Sequence, residues 1–295
     1  MKLFRLGGIN FRFHWFFLLL LFICAFYGYL LETLILFGLV LLHELVHLKV
    51  AKAQGLEVGD VELLPFGGVA RIEDVLELDP QVESTVSIAG PLFNFFLVAA
   101  ALIIYHKVPS WRENETFLFF IRSNLTLALF NLLPALPLDG GRILRARLCT
   151  VFGFQQATEI AIKISKFFAF LLLLLALYFY YLDKLNITLF ATAIFLYFAA
   201  EKEKTVAMYA FIRALGRKKK ILYEQGVMPL VTLIALPETN FKDILRRFVM
   251  KKYHCVLIIS KDGRVLGKVM EEDVIKAIVK QGLYGKIKTA LPINK

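Results

Sequence analysis

Long apolar segments constrain this chain more than any other feature of its sequence. Hydrophobic residues make up 58% of its 295 residues, more than a soluble domain of this size requires. A transmembrane helix needs about 20 mostly apolar residues, and the sequence predicts an α-helical polytopic membrane protein with six transmembrane helices. The predicted helices are residues 14–31, 34–53, 84–105, 117–134, 162–182 and 186–201. No cleavable signal sequence is apparent, so we expect the first helix to remain in the mature protein.

Lysine and arginine residues lie at alternate ends of these segments. They precede the first segment and follow the second and the fourth, whereas the turn at Glu32 and Thr33 has none. By the positive-inside rule, this distribution places both termini in the cytoplasm. The basic residues concerned are Lys2, Arg5, Arg12, Lys49, Lys52, Arg71, Arg142, Arg145 and Arg147. We therefore assign the net charge of +11 to membrane orientation and anionic lipid, and we expect no nucleic acid as a partner.

Two polar stretches interrupt the apolar pattern. Residues 55–74 contain Gly-Gly and a proline and alternate weakly, which predicts a short hairpin or loop at the membrane surface. Residues 134–141 form a cluster of Pro, Asp and Gly, after which a helix is expected to begin near Ile143. Irregular backbone at membrane depth is tolerated where protein buries it or where it lines a wet cavity. Either stretch would therefore mark a functional site if it enters the bilayer.

The C-terminal part of the chain has the composition of a soluble domain. It alternates strand, helix, strand, turn, strand and helix, with polar faces suited to water. The sequence thus predicts a membrane domain at residues 1–204, a basic linker at 205–226 and a small C-terminal α/β domain at 227–295. The three cysteines form no C-x-x-C pair, so neither a disulfide framework nor a thiolate zinc site is expected.

The sequence HELVH at residues 43–47 is the strongest indication of chemistry. In a helix, positions i and i+4 place His43 and His47 on one face, where they can share a Zn²⁺ ion, and Glu44 beside them can act on a zinc-activated water. Ionisable groups inside a transmembrane segment cost roughly 3 kcal/mol each on insertion scales and usually mark ion or catalytic sites. The alternative is a pair of ordinary helix-end histidines near the cytoplasmic surface.

A catalytic zinc ion usually has three protein ligands and one open position. Asp139, in the sequence LDGG, is the leading candidate for the third ligand, because the other acids between residues 84 and 200 lie in connections or at helix ends. On its own, Asp139 is equally compatible with capping the following helix. A complete site predicts hydrolysis of a peptide bond with Glu44 as general base and acid, and the Asn131 amide is a candidate donor to the oxyanion.

Three motifs together resemble the site-2 protease family of intramembrane zinc metalloproteases. They are HELVH at 43–47, AGPLFN at 89–94 and NLLPALPLDGG at 131–141. The resemblance implies one zinc ion per chain, held by the two histidines and the aspartate, with the glutamate as general acid and base. It also implies that Asn94 and Asn131 help to hold the substrate.

The overall layout resembles the sporulation branch of this family, which has a short N-terminus, six membrane segments, no PDZ domain and a C-terminal CBS domain. Members of that branch release a sigma factor from its membrane-associated pro-form, and inhibitory membrane proteins hold some of them inactive. The resemblance implies a membrane-associated protein substrate, a pro-sigma factor by preference, and inhibitory membrane partners. The implied location is the bacterial cell membrane or the outer forespore membrane.

Residues 254–274 resemble the core of a CBS domain. In this resemblance Asp273 occupies the position that contacts ribose in nucleotide-binding members, whereas Met270 replaces the usual Ser or Thr. ATP or another adenine nucleotide is therefore one candidate ligand, and a purely structural module is the alternative. One CBS motif is half of the usual pair, which predicts a homo-oligomer formed through this domain.

The stretch LLPFGGV at residues 63–69 gains a role from the resemblance to proteases. A helix shields its peptide bonds, so a protease must receive its substrate as an extended chain, and strand addition is one way to hold it. We expect substrate contacts at Pro65, Phe66 and Gly67, with Phe66 next to the site. A surface turn without substrate contact is the alternative.

Two other functions are compatible with parts of this pattern. The first is a zinc membrane protease whose third ligand is a glutamate on a later helix, for which Glu159 is the candidate. The second is a metal-binding or catalytically inactive membrane scaffold regulated by a nucleotide-sensing CBS domain. Glu44 separates this second function from a protease, because a metal carrier does not need a general base beside its ligands.

Overall fold

The N-terminal part of the chain combines a small sheet with two helices. A computed structural model describes residues 2–6, 9–13, 15–56, 58–64, 67–72, 79–183, 186–248, 252–282 and 284–291. The first elements are β1 (Lys2–Leu6), β2 (Ile9–Phe13), α1 (Trp15–Phe26), α2 (Leu30–Ala53), β3 (Val58–Leu64) and β4 (Gly67–Ile72). The strand order is β1-β2-β3-β4, with β2 and β3 parallel and the outer pairs antiparallel. The hairpin expected within residues 55–74 is thus confirmed, and a second, N-terminal hairpin that the apolar pattern did not predict joins it.

The next helices form the rest of the membrane domain. They are α3 (Pro80–Lys107), α4 (Glu115–Asn131), α5 (Asp139–Phe152), α6 (Phe154–Tyr181) and α7 (Ile187–Gln225). The Asp79 and Asn114 side chains accept backbone N–H groups at the starts of α3 and α4, as N-cap residues do. The prediction that the helix after residues 134–141 begins near Ile143 is wrong. This helix is α5, and Gly140 and Gly141 already belong to its first turn.

Within the part of the chain that the structure describes, three helices are both long and apolar enough to cross a membrane, namely α2, α3 and α6, and the chain is an integral membrane protein. The other three predicted segments are helical as well. However, α1 has 12 residues, α4 has 17, and the apolar start of α7 continues into a 39-residue helix with many charges. Six transmembrane helices therefore stay a prediction.

α3 is the central helix of the membrane domain, since it packs against α2, α4 and α5, while α6 packs between α5 and α7. Alanines such as Ala51, Ala128 and Ala161 are fully buried, and such small side chains let helix backbones approach closely in membranes. Large apolar side chains such as Phe96 and Phe198, each 66% exposed, point away from this core. They are placed to contact lipid.

The C-terminal domain has the predicted order of strands and helices. Its elements are β5 (Leu230–Ala235), α8 (Phe241–Leu245), β6 (Tyr253–Ile259), β7 (Val265–Met270) and α9 (Glu271–Gln281). β5 and β6 are parallel, and β6 and β7 form an antiparallel hairpin whose turn uses Gly263 at a φ of +80°, a conformation that glycine adopts readily. Its core contains Phe241, Leu245, Val256, Ile258 and Val274.

The membrane domain and the C-terminal domain share a buried core. α7 runs through the predicted basic linker, so residues 205–225 form the second half of a continuous helix. Phe154, at the corner between α5 and α6, belongs to the same buried cluster as Phe241. Nζ of Lys218 in α7 lies 2.9 Å from Oε1 of Glu271 in α9. Burial lowers the pKa of Lys218, whereas the negative charge of Glu271 acts to raise it. The C-terminal domain is therefore packed against α7 and against the corner between α5 and α6.

Candidate metal centre

α2 carries both predicted histidine ligands on its buried face. His43 and His47 are one helical turn apart, and only 3% and 7% of their surfaces are exposed. Leu39 and Ala51, one turn before and one turn after them, are buried in the same row. This row follows from the four-residue spacing in a helix, and it faces α3.

The loop between α4 and α5 brings Asp139 to the two histidines. Leu136 in this loop is fully buried, and its N–H donates to Ser165 Oγ at 2.7 Å. The peptide bond between Leu136 and Pro137 is cis. A Cβ atom on Gly140 would overlap with the loop backbone, so glycine is required for α5 to start directly against the loop. Asp139 is consequently the first residue of α5.

Three potential ligand atoms form an almost equilateral triangle. His43 Nε2 lies 3.1 Å from Asp139 Oδ2, His47 Nε2 lies 3.3 Å from the same oxygen, and the two Nε2 atoms are 3.1 Å apart. Tetrahedral zinc with bonds of 2.0–2.2 Å separates its ligand atoms by about 3.3 Å. The triangle therefore fits one face of a zinc tetrahedron and leaves the fourth position open. Two imidazoles and one carboxylate also suit zinc better than magnesium.

Each histidine uses its other ring nitrogen to fix the ring. His47 Nδ1 donates to the backbone oxygen of Val86 at 2.7 Å, and His43 Nδ1 donates to Asn94 Oδ1 at 2.5 Å. With the proton on Nδ1, the Nε2 lone pair of each ring is free to bind a metal. Both acceptors belong to α3, which explains why the cluster lies where α2 crosses this helix.

α3 passes very close to the cluster at Gly90. A Cβ atom at this position would overlap with the Nε2 atom of His47 and would lie 2.6 Å from Cε1 and 2.7 Å from Nε2 of His43. The absence of a side chain thus provides the space in which the ligand atoms meet. The AGPLFN motif therefore contributes two neighbours of the histidines, Gly90 and Asn94.

Glu44 is half-buried next to His43 on α2. Its carboxyl interacts electrostatically with His43, His47, Asp139 and Arg142. The Glu44 carboxyl therefore lies near the metal cluster.

The remaining predicted site residues occupy other positions. Asn131 is the last residue of α4 and is half-buried. Pro65 and Phe66 lie outside the described residues, and Gly67 begins β4, the last strand in the order of the sheet. Asp273 lies in the first turn of α9 with half of its side chain exposed.

Glu159, the candidate third ligand of a different protease class, does not belong to the metal cluster. It lies on α6, and both of its carboxylate oxygens accept from Arg246 Nη2 of the C-terminal domain at 2.9 and 3.0 Å. The geometry therefore disfavours that class.

Sequence reasoning missed a second buried charged cluster, which we call the Arg145 cluster: Arg145, Glu83 and Glu203. Arg145 is fully buried on α5; it donates to Glu83 of α3 through Nε at 3.1 Å and through Nη2, and its Nη1 lies 3.3 Å from Glu203 Oε1 of α7. The positive-inside argument counts Arg145 among the basic residues that follow the fourth segment, but it does not predict that this side chain is buried between helices. No motif links three residues so far apart in the sequence.

Comparisons with known proteins cover both domains. The model of Peptidase family M50 matches residues 31–109 and 106–175, and that of the CBS domain matches residues 231–280. A zinc metalloprotease of Methanocaldococcus jannaschii is 32% identical over 275 residues, which cover 90% of this chain and 76% of that protein. Stage IV sporulation protein FB of Bacillus subtilis is 29% identical over 255 residues, which cover 85% of this chain and 84% of that protein.

A solved structure has the same fold over about two thirds of the chain. The site-2 protease from Methanocaldococcus jannaschii matches with a TM-score of 0.54 and 33% identity, over 69% of this chain and 94% of that one. The family match includes the HELVH, AGPLFN and LDGG sequences that surround the metal centre. This chain therefore belongs to peptidase family M50, the site-2 protease family of zinc metalloproteases, and it carries a CBS domain.

Proposed function

We propose that this chain is an intramembrane endopeptidase that cleaves a membrane-associated protein near the cytoplasmic face of the membrane. The observation that carries the proposal is the triangle of His43, His47 and Asp139, whose two histidines lie on a helix that is long and apolar enough to span a bilayer. Three protein ligands with an open fourth position are typical of catalytic rather than structural zinc sites. The family of zinc metalloproteases supports the same metal.

Each residue is assigned one role in this reaction. His43, His47 and Asp139 would hold one zinc ion per chain, and zinc bound there would lower the pKa of a water molecule and polarise the scissile carbonyl. Glu44 accepts a proton from the attacking water and delivers it to the leaving nitrogen as the C–N bond breaks. The Asn131 amide, at the end of α4, donates to the oxyanion that develops on the carbonyl.

The substrate is proposed to bind as an extended chain along β4. β4 is an edge strand, and an edge strand presents backbone groups that can pair with another chain. Gly67 begins this strand, and Pro65 and Phe66, which precede it, are proposed to contact the substrate next to the metal centre. Photo-cross-linking from position 66 tests this contact: capture of the substrate is expected, and a failure to capture any would contradict it.

The orientation and the substrate class are proposed from the charge pattern and from the relatives. Lys49 and Lys52, at the C-terminal end of α2, place His47 towards the cytoplasm in a multi-pass protein with both termini cytoplasmic. A pro-sigma factor is the proposed substrate, because the chain aligns with a stage IV sporulation protein over 85% of its length. The location is then the bacterial cell membrane or the outer forespore membrane, with inhibitory membrane proteins as partners.

The CBS domain is proposed to regulate the protease. Asp273 is half exposed and available to an adenine nucleotide such as ATP, and a second copy of the chain would complete a pair of CBS motifs. The mass of the full chain in detergent, measured with and without ATP, tests the homo-oligomer. A monomer under both conditions would contradict it.

The Glu44→Gln variant tests the proposed mechanism most simply. Co-expressed with a candidate membrane-tethered transcription factor, the native chain should release the soluble fragment and the variant should not, because removing a general base typically slows such a reaction 10²- to 10⁴-fold. Zinc content should be unchanged. Glu32→Gln, the same chemical change on the same helix, is the control and should cleave normally. Continued cleavage by Glu44→Gln would contradict Glu44 as the general base. A native chain that binds zinc but cleaves no substrate would favour a catalytically inactive scaffold.

A further inference from the structure

Two asparagines are buried next to the metal centre. Asn94 of α3 and Asn124 of α4 are both 0% exposed, in helices that are otherwise mostly apolar. An amide buried without hydrogen bonds costs a few kcal/mol, and inside a membrane domain no bulk water is available to satisfy it. The position of Asn124 therefore calls for a specific role.

The two side chains form a directed chain of hydrogen bonds. Asn124 Nδ2 donates to the backbone oxygen of Phe120, one turn earlier on the same helix, at 3.0 Å. The Asn124 Oδ1 atom consequently faces Asn94, whose Nδ2 donates to it at 2.9 Å. Asn94 Oδ1 is thereby turned towards His43 Nδ1, at 2.5 Å.

The direction of this chain decides which nitrogen of His43 carries the proton. A carbonyl oxygen only accepts, so His43 Nδ1 must donate, and in the neutral imidazole Nε2 then carries no proton. If the Asn94 amide were rotated by half a turn, Nδ2 would face the ring, Nδ1 would have to accept, and the proton would move to Nε2. In that tautomer Nε2 has no lone pair for a metal.

The two histidines differ in how securely this direction is set. His47 donates to the backbone oxygen of Val86, which cannot exchange places with an N–H group. His43 donates to a side-chain amide, whose two ends have almost the same shape. A further contact is therefore needed to hold Asn94 in one orientation, and Asn124 supplies it. The Asn124 amide is itself held in one orientation, because it donates to a backbone oxygen of its own helix.

We propose that Asn124 is a positioning residue of the metal centre, which acts through Asn94 to keep His43 Nε2 available for zinc. The inference rests on the proposed zinc site and adds a residue that touches neither metal nor substrate. Partners of this kind, which orient a metal-bound histidine, typically change metal affinity 10- to 100-fold when they are removed.

The first test is the zinc affinity of Asn124→Leu in the full chain, measured in detergent by competition with a chromogenic chelator. Leucine has a similar size but cannot accept from Asn94. We expect zinc to bind about 10- to 100-fold more weakly, with kcat for the remaining zinc-loaded protein close to the native value. Thr126→Val, which removes a hydroxyl from an exposed position of the same helix, is the control and should leave the affinity unchanged.

Asn124→Asp and a double variant separate positioning from packing. A protonated carboxyl group at position 124 can donate to the backbone oxygen of Phe120 and still present an oxygen to Asn94, so Asn124→Asp should bind zinc within a few-fold of the native chain. Adding Asn94→Asp to Asn124→Leu should restore affinity, because a carboxylate accepts from His43 Nδ1 whichever way it is rotated. A merely structural role predicts no rescue by either change.

The outcomes distinguish this inference from the proposed function. If the native chain binds no zinc, the zinc site itself is wrong. If the native chain binds zinc and Asn124→Leu binds it equally well, only the role of Asn124 is wrong. If Asn124→Leu does not fold, the decision passes to Asn124→Asp, for which an affinity loss of tenfold or more would overturn the inference.

Discussion

Two buried polar clusters share helix α5, and they differ in what completes them. At the start of the helix, Asp139 meets two histidines that must be neutral to bind a metal, and one coordination position stays open. Six residues later, Arg145 lies between Glu83 and Glu203 on two other helices. The first cluster has room for a cation from outside, whereas the second contains its own cation.

This difference separates a reactive site from a structural one. A cluster with an open position can take up a metal, water and a substrate atom, whereas the Arg145 cluster joins α3, α5 and α7 by contacts among its own members. Because α5 carries both Asp139 and Arg145, the second cluster also sets how α5 presents Asp139 to the histidines. The corner that follows α5 packs into the core of the CBS domain through Phe154, so the two domains meet close to this helix.

Breaking the Arg145 cluster should have the largest effect on stability. Arg145→Met leaves two buried glutamates without their cation, and breaking a buried ion pair in this way costs about 3–5 kcal/mol. We expect the free energy of unfolding in detergent to fall by that amount. Arg147→Met, at an exposed position of the same helix, should change it by less than about 0.5 kcal/mol. Equal losses in the two variants would mean that the Arg145 cluster does not hold the helices together.

Gly90→Ala should disturb the metal cluster and spare the Arg145 cluster. The added methyl group would overlap with ring atoms of His43 and His47, and overpacking of this kind costs about 1–3 kcal/mol. We expect weaker zinc binding and slower proteolysis, measured by metal competition and by substrate cleavage. Gly38→Ala, on α2 with open space around it, is the matched control. Unchanged zinc affinity in Gly90→Ala would contradict the close crossing of α2 and α3.

The smallest effect is expected for the half-exposed pair between Arg246 and Glu159, which extends the comparison to the protein surface. Arg246→Glu removes an ion pair at the junction of the two domains, and such pairs contribute about 1 kcal/mol or less. Hydrogen exchange at the start of α6 should become slightly faster. The double variant with Glu159→Arg restores opposite charges and should return exchange to the native rate; failure to do so would remove this pair from the junction.

The metal centre was largely accessible from sequence, whereas its surroundings were not. His43 and His47 are recognisable because their spacing is local to one helix, and Asp139 because it is an acid beside two glycines in an apolar region. The Arg145 cluster joins residues 83, 145 and 203, and no local period links positions so far apart. Asn124 is a single polar residue in an apolar helix, so its role depends on the rotation of α4 against α3, which the sequence pattern does not determine.

The same reasoning applies to the fold. The C-terminal domain follows from alternating strand and helix patterns, since each element is short and bounded by turn residues. The continuous α7 was harder to anticipate. Its second half is rich in basic residues, a composition that also predicts a linker, although here it continues the helix. The N-terminal hairpin was missed because strands of five residues next to an apolar run have little pattern of their own.

The zinc content of the purified chain tests the central claim most directly. After exposure to zinc and removal of excess metal, the native protein should hold one zinc ion per chain. Asp139→Ala should retain much less, since it removes one of three ligands while leaving both histidines. A native chain without zinc, or an Asp139→Ala variant that still binds one zinc ion with native affinity, would contradict the assignment of His43, His47 and Asp139 as the metal site.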